Sequence, residues 1–342
     1  MLTWPGQVPD AESARTTMIT LIPDNQRRTL DELGDRLDLE IGDVTAKRSA
    51  YWLMLLLSAT IAVAGVISDS TATVIGAMIV APLSTPILGI GLGIVTGRAG
   101  AVGRSMLYVL VSAIAVVALG ALIVQFLPNP TNVLTNSQVT GRTSPTLMDL
   151  LAAIATGFAG SIAMARRDVG DVLPGVAIAI SLVPPLGVVG VCLGSGAPSL
   201  AAGALVLFLS NVLALITACT VVLMVAGYAR DAAETYGSAR RTRAYLAIAA
   251  TFVVVAVPMV LNSLSSLWAS QVRDAAQQWL GDTPSAEIGT VTIQSDTVLV
   301  DVTSPGDLPP IDDLQGSVDE IVPWNPTVVV QHTVGQRVEA DR

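Results

Sequence analysis

The sequence predicts an α-helical integral membrane protein. About seven transmembrane helices form two inverted three-helix repeats plus one, and a small C-terminal extracytoplasmic α+β domain follows. Three observations carry this reading. Hydrophobic residues make up 52% of the 342 residues and charged ones only 13%, against roughly 25% charged in a soluble domain. The charge is also segregated: after about Ser263 twelve acids face only Arg273, Arg337 and Arg342, and this net −9 equals that of the whole chain. Finally, two apolar runs 98 residues apart, "AMIVAPLSTPILGIG" and "GVAIAISLVPPLGVVG", both carry proline breaks.

Residues 1–47 are polar and lack the basic-then-apolar pattern of a secretory signal, so they are expected to form a cytoplasmic N-terminal segment. Leu30, Leu33, Leu37 and Ile41 fall on one helical stripe. Such a helix either gates or docks at the membrane or, the reading favoured here, packs on the membrane domain or a neighbouring subunit. The membrane domain spans 48–262, with repeats at about 50–127 and 147–227 and a seventh helix at 244–262. Its apolar segments run 50–67, 73–96, 104–127, 147–165, 172–194, 199–227 and 244–262, each near the ~20 residues that cross a bilayer.

Basic residues set the orientation. Six precede the first segment, and Arg98, Arg104, Arg166, Arg167, Arg230, Arg240, Arg241 and Arg243 follow the second, fourth and sixth, which puts 14 of 18 on one side. By the positive-inside rule that side is cytoplasmic, which leaves the acidic domain at 263–342 outside. Within that domain "AEIGTVTI" and "TVLVDV" flank a two-residue turn "SD", and the order α-β-β-α-β is expected.

At the 98-residue offset Ala81 meets Ala179, Pro86 meets Pro184, Leu88 meets Leu186, Gly89 meets Gly187 and Ser112 meets Ser210. Three helices per unit is an odd number, so the second unit would enter the membrane from the opposite face. Paired Gly/Pro-interrupted helices in inverted repeats are where many transporters bind their substrates. Proline cannot donate to the carbonyl four residues back. Pro82 and Pro86 would free the carbonyls of Met78 and Pro82, and Pro184 and Pro185 those of Ile180 and Ser181. With Ser84, Thr85, Ser210 and Asn211 nearby, these groups outline a polar pathway near the midplane. The competing structural reading is a set of ordinary kinks whose carbonyls Ser and Thr hydroxyls re-satisfy, with glycines serving close packing.

Asp69, Arg167, Asp168 and Asp171 at the span ends form a possible gate; equally, the last two acids pair with Arg166 or Arg167, and Asp69 starts a helix. No ionisable residue lies near the centre of a span, which argues against a buried proton relay and against an enzyme. Cys192 and Cys219 sit in apolar runs and His332 is the single histidine, so no metal or other cofactor is expected. Nothing is basic enough to bind nucleic acid.

The motifs "SDSTATVIGAMIVAPLSTPILGIGLGIVTG" and "PGVAIAISLVPPLGVVG", with flanking "RSAYWLMLLLSATIAVAGVISDS" and "SPTLMDLLAAIATGFAGSIAM", resemble a family of uncharacterised prokaryotic membrane proteins, domain of unknown function 389. The resemblance covers about 47–228. It implies a shared multi-pass fold in the cytoplasmic membrane of a prokaryote and brings no activity or catalytic residues. The leading functional expectation is a transporter or channel for a small solute or ion, sited between the broken second and fifth spans. The alternative is an oligomeric scaffold or sensor that anchors the acidic domain without transport. The partners expected are the lipid bilayer, a small solute or ion, and further copies of the chain.

Overall fold

The computed structural model describes residues 22–126, 136–143, 145–169, 182–236, 267–281, 286–294 and 297–335, with a few single residues between. The expected seventh span, Ile180, Ser181, Asp171 and the "SD" turn lie outside the described residues. The chain divides into two units, Met1–Ala256 and Val257–Arg342.

The first unit is helical: α1 Leu30–Leu37, α2 Val44–Ile67, α3 Thr71–Val80, α4 Ser84–Thr96, α5 Ala99–Gln125, α6 Ser137–Thr143, α7 Leu147–Ala165, α8 Val183–Gly194, α9 Pro198–Val225 and α10 Tyr228–Tyr236. Of these α2, α5, α7 and α9 are each long and apolar enough to cross a membrane. Large apolar side chains such as Leu53, Leu57, Leu107, Leu110 and Ile114 stand exposed along α2 and α5, as helices that meet lipid tails require. The second apolar segment is broken as expected, into two helices, α3 and α4, bent by 49°. The bend follows from Pro82, whose ring excludes a continuous ladder at this point.

The two short helices are the innermost elements. Pro86 through Thr96 of α4 and Val183 through Cys192 of α8 are buried without interruption. Around them α5 packs on α4 and α8, α9 packs on α8 and α4, α2 packs on α5 and α7 packs on α9. Glycines bring the backbones together. A Cβ on Gly190 would stand 2.6 Å from the Val117 carbonyl oxygen and 2.9 Å from the Gly120 Cα, and one on Gly91 would stand 2.8 Å from Cys219 Sγ. Without hydrophobic drive between helices in lipid, this proximity and its dispersion contacts hold the bundle.

α1 forms as the sequence requires: Thr29 and Glu32 make a reciprocal capping box, and Leu33 and Leu37 are buried. It packs on α4 and α10, with the Leu37 carbonyl against Gly89. The segment before it pairs with the chain after α7, through Arg28 N–H to the Ala165 carbonyl (2.9 Å) and Arg167 N–H to the Gln26 carbonyl (2.8 Å). Arg27 reaches Asp231 at 2.6 Å and lies 3.9 Å above the Tyr228 ring, while Arg167 reaches Glu32 at 2.9 Å. Of the two readings of this stripe, the helix that packs on the membrane domain is the one observed.

The second unit holds a three-stranded sheet in the order β1-β2-β3: Glu287–Gln294, Thr297–Ser304 and Thr327–Val334. β1 and β2 pair antiparallel, and β3 lies parallel to β2 after crossover helix α12, Ile311–Ile321 (α11 being residues 267–280). Val298, Val300 and Val302 alternate into a core shared with Val272, Ala276, Leu314 and Val318.

Two outcomes follow. Gly190→Val forces α5 and α8 apart and is expected to cost about 1–3 kcal/mol, read as a fall in thermal stability in detergent. The capping bond from Thr29 N–H, then Arg167, holds the Glu32 carboxyl below its ordinary value of 4.5. Its contribution to docking α1 is therefore complete above that unfolded value and is lost as pH falls through the lowered folded one. Hydrogen exchange of the α1 amides should rise on acidification below about pH 4.5; Glu32→Gln should show the faster exchange already at neutral pH and lose the acid step.

Candidate functional site

The proline positions are clearer in three dimensions. α4 begins at Ser84 and α8 at Val183, so Pro86 is the third residue of its helix and Pro184 and Pro185 are the second and third of theirs. The first four N–H groups of any helix lack an internal acceptor. A proline there removes a donor that hydrocarbon could not satisfy, so these prolines start helices rather than open ladders. The expectation of a freed Pro82 carbonyl is corrected: it accepts from Thr85 N–H at 3.2 Å. In the last turn of α3, the buried Ser58 hydroxyl donates to the Ala77 carbonyl at 2.8 Å. Met78 packs in an apolar cluster with Val63, Val74 and Val188. Ser84 and Thr85 are half-buried in the first turn of α4. Ser210 donates to the Leu207 carbonyl at 2.8 Å within its own helix.

Two of the predicted pathway residues do meet. Pro185 and Asn211 line a cavity of about 270 Å³ together with Leu207, Ala152, Asp149 and Arg142. Asn211 is 3% exposed and forms the deep end with Pro185 and Leu207, which are also buried. Arg142 and Asp149 are half-buried at the mouth. Pro82, Ser84, Thr85, Pro86 and Met78 are not among its lining residues.

The mouth is built by α6. The Asp69 carboxylate, at a turn residue with φ of 52°, accepts from the Ser137 hydroxyl at 2.7 Å and from Gln138 N–H at 3.1 Å. Those bonds, Ser137 first, hold its carboxyl below the usual range. Asn136 Nδ2 donates to the Val66 carbonyl at 2.7 Å, and Gln138 Nε2 to the Thr71 hydroxyl at 2.8 Å. At the other end of α6 the Thr143 carbonyl sits against Gly203, where no Cβ fits. α6 is thus fixed between the α2–α3 turn and α9. Arg142 Nη1 donates to the Gln138 carbonyl and side-chain oxygen at 2.9 and 3.0 Å. Withdrawal from water lowers its pKa from the ordinary arginine value. Asp149 completes a capping box on α7, its Oδ2 accepting from Thr146 N–H and hydroxyl at 2.8 and 2.7 Å.

The remaining gate candidates are tied elsewhere. Arg167 joins Glu32 of α1, and Asp168 pairs with Arg166 at 2.6 Å, which lowers the Asp168 carboxyl's pKa. Asp69 is a clamp on α6. Among the described residues no three His, Cys, Asp or Glu side chains gather as a metal site.

Neither Asp149 nor Arg142 was among the site residues that the sequence singled out. The signal was present: between residues 48 and 262 Arg142 is the one basic residue that stands apart from the arginine clusters.

Residues 78–217 match the family described as a domain of unknown function, DUF389. An uncharacterised protein of Methanocaldococcus jannaschii is 32% identical over 173 residues, 51% of this chain and 53% of the relative. The chain therefore spans about half the length of that relative. No solved structure matches. The matched stretch runs from the last turn of α3 into α9 and contains every residue named above on the cavity wall. Over residues 78–217 this chain is similar to the DUF389 family of uncharacterised proteins.

Proposed function

We propose that the membrane body is a transporter for a small solute or ion, built from two inverted three-helix repeats, with its site at the start of α8. One observation carries the reading: a cavity reaches Pro185 and Asn211 from the α6 end, whereas the hollow of about 460 Å³ in the other half, lined by Glu40, Arg48, Trp52, Arg104 and Tyr108, has no residue of α4 in its wall. Moving 98 residues back from Asp149 gives Tyr51, and from Ser210 gives Ser112. Tyr51 is 4% exposed and Ser112 fully buried. Their hydroxyls meet at 2.7 Å, and Trp52 and Tyr108 pack edge-on to the Tyr51 ring at 5.4 and 5.7 Å. A space that reaches the start of the broken helix in one half only is an asymmetry that suits alternating access in a carrier.

The repeat has further support. At the same offset α2 ends where α7 ends, α4 corresponds to α8, and α5 to α9. The packing pairs correspond too: α4 with α5 and α8 with α9, α8 with α5 and α4 with α9. Each unit is preceded by a short helix, α1 or α6, that packs on the broken helix of its own half. The positive-inside count puts the cavity mouth outside and α1 inside. The cavity offers no nucleophile–base pair, which favours transport over catalysis.

Reconstitution tests the reading. Purified full-length protein in proteoliposomes should move a small polar solute or ion, and Asn211→Ala should lower that flux at least tenfold without lowering thermal stability. Tyr51→Ala should make a cysteine placed at Ala113 reactive to an impermeant thiol reagent from the arginine-rich side. If no solute moves, and Pro185 and Asn211 variants change only stability, the chain is a scaffold for its acidic unit instead.

A further inference from the structure

Resting on the transport reading, we infer that the α6–α9 cavity takes a small zwitterion, its anionic end toward Arg142 and its cationic end toward Asp149. The cavity wall carries one charge of each sign, yet the two make no ion pair with each other, and Arg142 pairs with no other carboxylate among the described residues. Arg142 commits Nη1 to Gln138, which leaves the Nε–Nη2 edge of its fork for a carboxylate. Asp149 holds Thr146 through Oδ2, which leaves Oδ1 as acceptor. A simple anion that entered would meet Asp149, and a simple cation would meet Arg142, in a site where partial burial strengthens both repulsions. A neutral apolar solute would strip water from both charges and give nothing back. A dipolar solute compensates both at once.

Size and placement agree. A space of about 270 Å³ holds roughly nine waters at ~30 Å³ each, which suits a molecule the size of a small amino acid and not a nucleotide or sugar chain. Leu207, Ala152 and Pro185 supply apolar wall for a short aliphatic group, and the buried Asn211 lies at the deep end of the space. Arg142 stands where the charge asymmetry of the membrane body runs against a basic residue. The α6 helix that carries it is clamped by Asp69, Asn136 and Gln138, so the guanidinium is held and not free to swing into water.

The test is equilibrium binding to the purified full-length protein in nanodiscs, using alanine, β-alanine and glycine betaine against propionate and propylamine. At least one zwitterion should bind saturably and tenfold or more tighter than either single-charge analogue. Arg142→Gln should weaken zwitterion binding at least tenfold while sparing propylamine, and Asp149→Asn, which can still cap α7, should do the converse with propionate spared. A folding defect would lower all ligands together and is separated further by Arg142→Lys, which should restore part of the affinity. Equal binding of propionate or propylamine, no zwitterion binding, or unchanged binding in Arg142→Gln overturns the inference. Zwitterion binding without uptake into proteoliposomes would sink transport and leave the site standing; ion flux without zwitterion binding would do the reverse.

Discussion

The structure depends on one constraint, that a helix starting or ending in a buried apolar interior has no water for its open backbone groups, each of which costs several kcal/mol if left bare. Both half-helices meet it in the same way. Neither Leu83 nor Leu182, the residues at their N-termini, offers a capping side chain. The chain instead deletes donors with Pro86, Pro184 and Pro185, and wraps the remainder in protein. At the preceding helix end the acceptors have help from Ser58 on α2. The prolines are therefore part of how a half-helix survives in a dry interior.

That solution forces the rest of the packing. Helices that must be sealed from lipid have to be surrounded, and α5 and α9 each lie against both of them. Such close wrapping needs backbones without side chains at the crossings, which Gly91, Gly120 and Gly190 provide. Ala121 and Cys219, 98 residues apart, press on Gly190 and Gly91, so small residues sit on both sides of both crossings.

Within this sealed frame the two halves differ. Tyr51 and Ser112 share a buried hydroxyl contact, while Asp149, 98 residues on from Tyr51, borders a space that reaches Asn211. Polar anchors at each end of the unit hold short helices over these places: ion pairs from Arg27 and Arg167 fix the α1 end, and Asp69 with Asn136 fixes α6. The proposed carrier would work by exchanging which half has a space that reaches its broken helix.

Much of this was legible in the sequence because hydropathy, proline and charge are local signals. Apolar length gave the candidate spans α2, α5, α7 and α9, the stripe of Leu30, Leu33, Leu37 and Ile41 gave α1, which stops before Ile41, and paired prolines located both short helices. The ladder argument failed for the Pro82 carbonyl, which accepts from Thr85 N–H, because it assumes one continuous helix. Only the fold shows that Pro86 lies in a first turn, after a 49° bend. The cavity was legible in half: Asn211 and Pro185 stood out as polar or helix-breaking residues in apolar runs. Arg142 and Asp149 did not, because each reads locally as a loop or cap residue, and only the clamp on α6 brings a loop arginine to the mouth of a space between α7, α8 and α9. Sequence by itself determined what each segment could bury, since burial preference belongs to the residue. Tertiary structure decided which groups share a space, since that depends on how close the glycine crossings let the helices come.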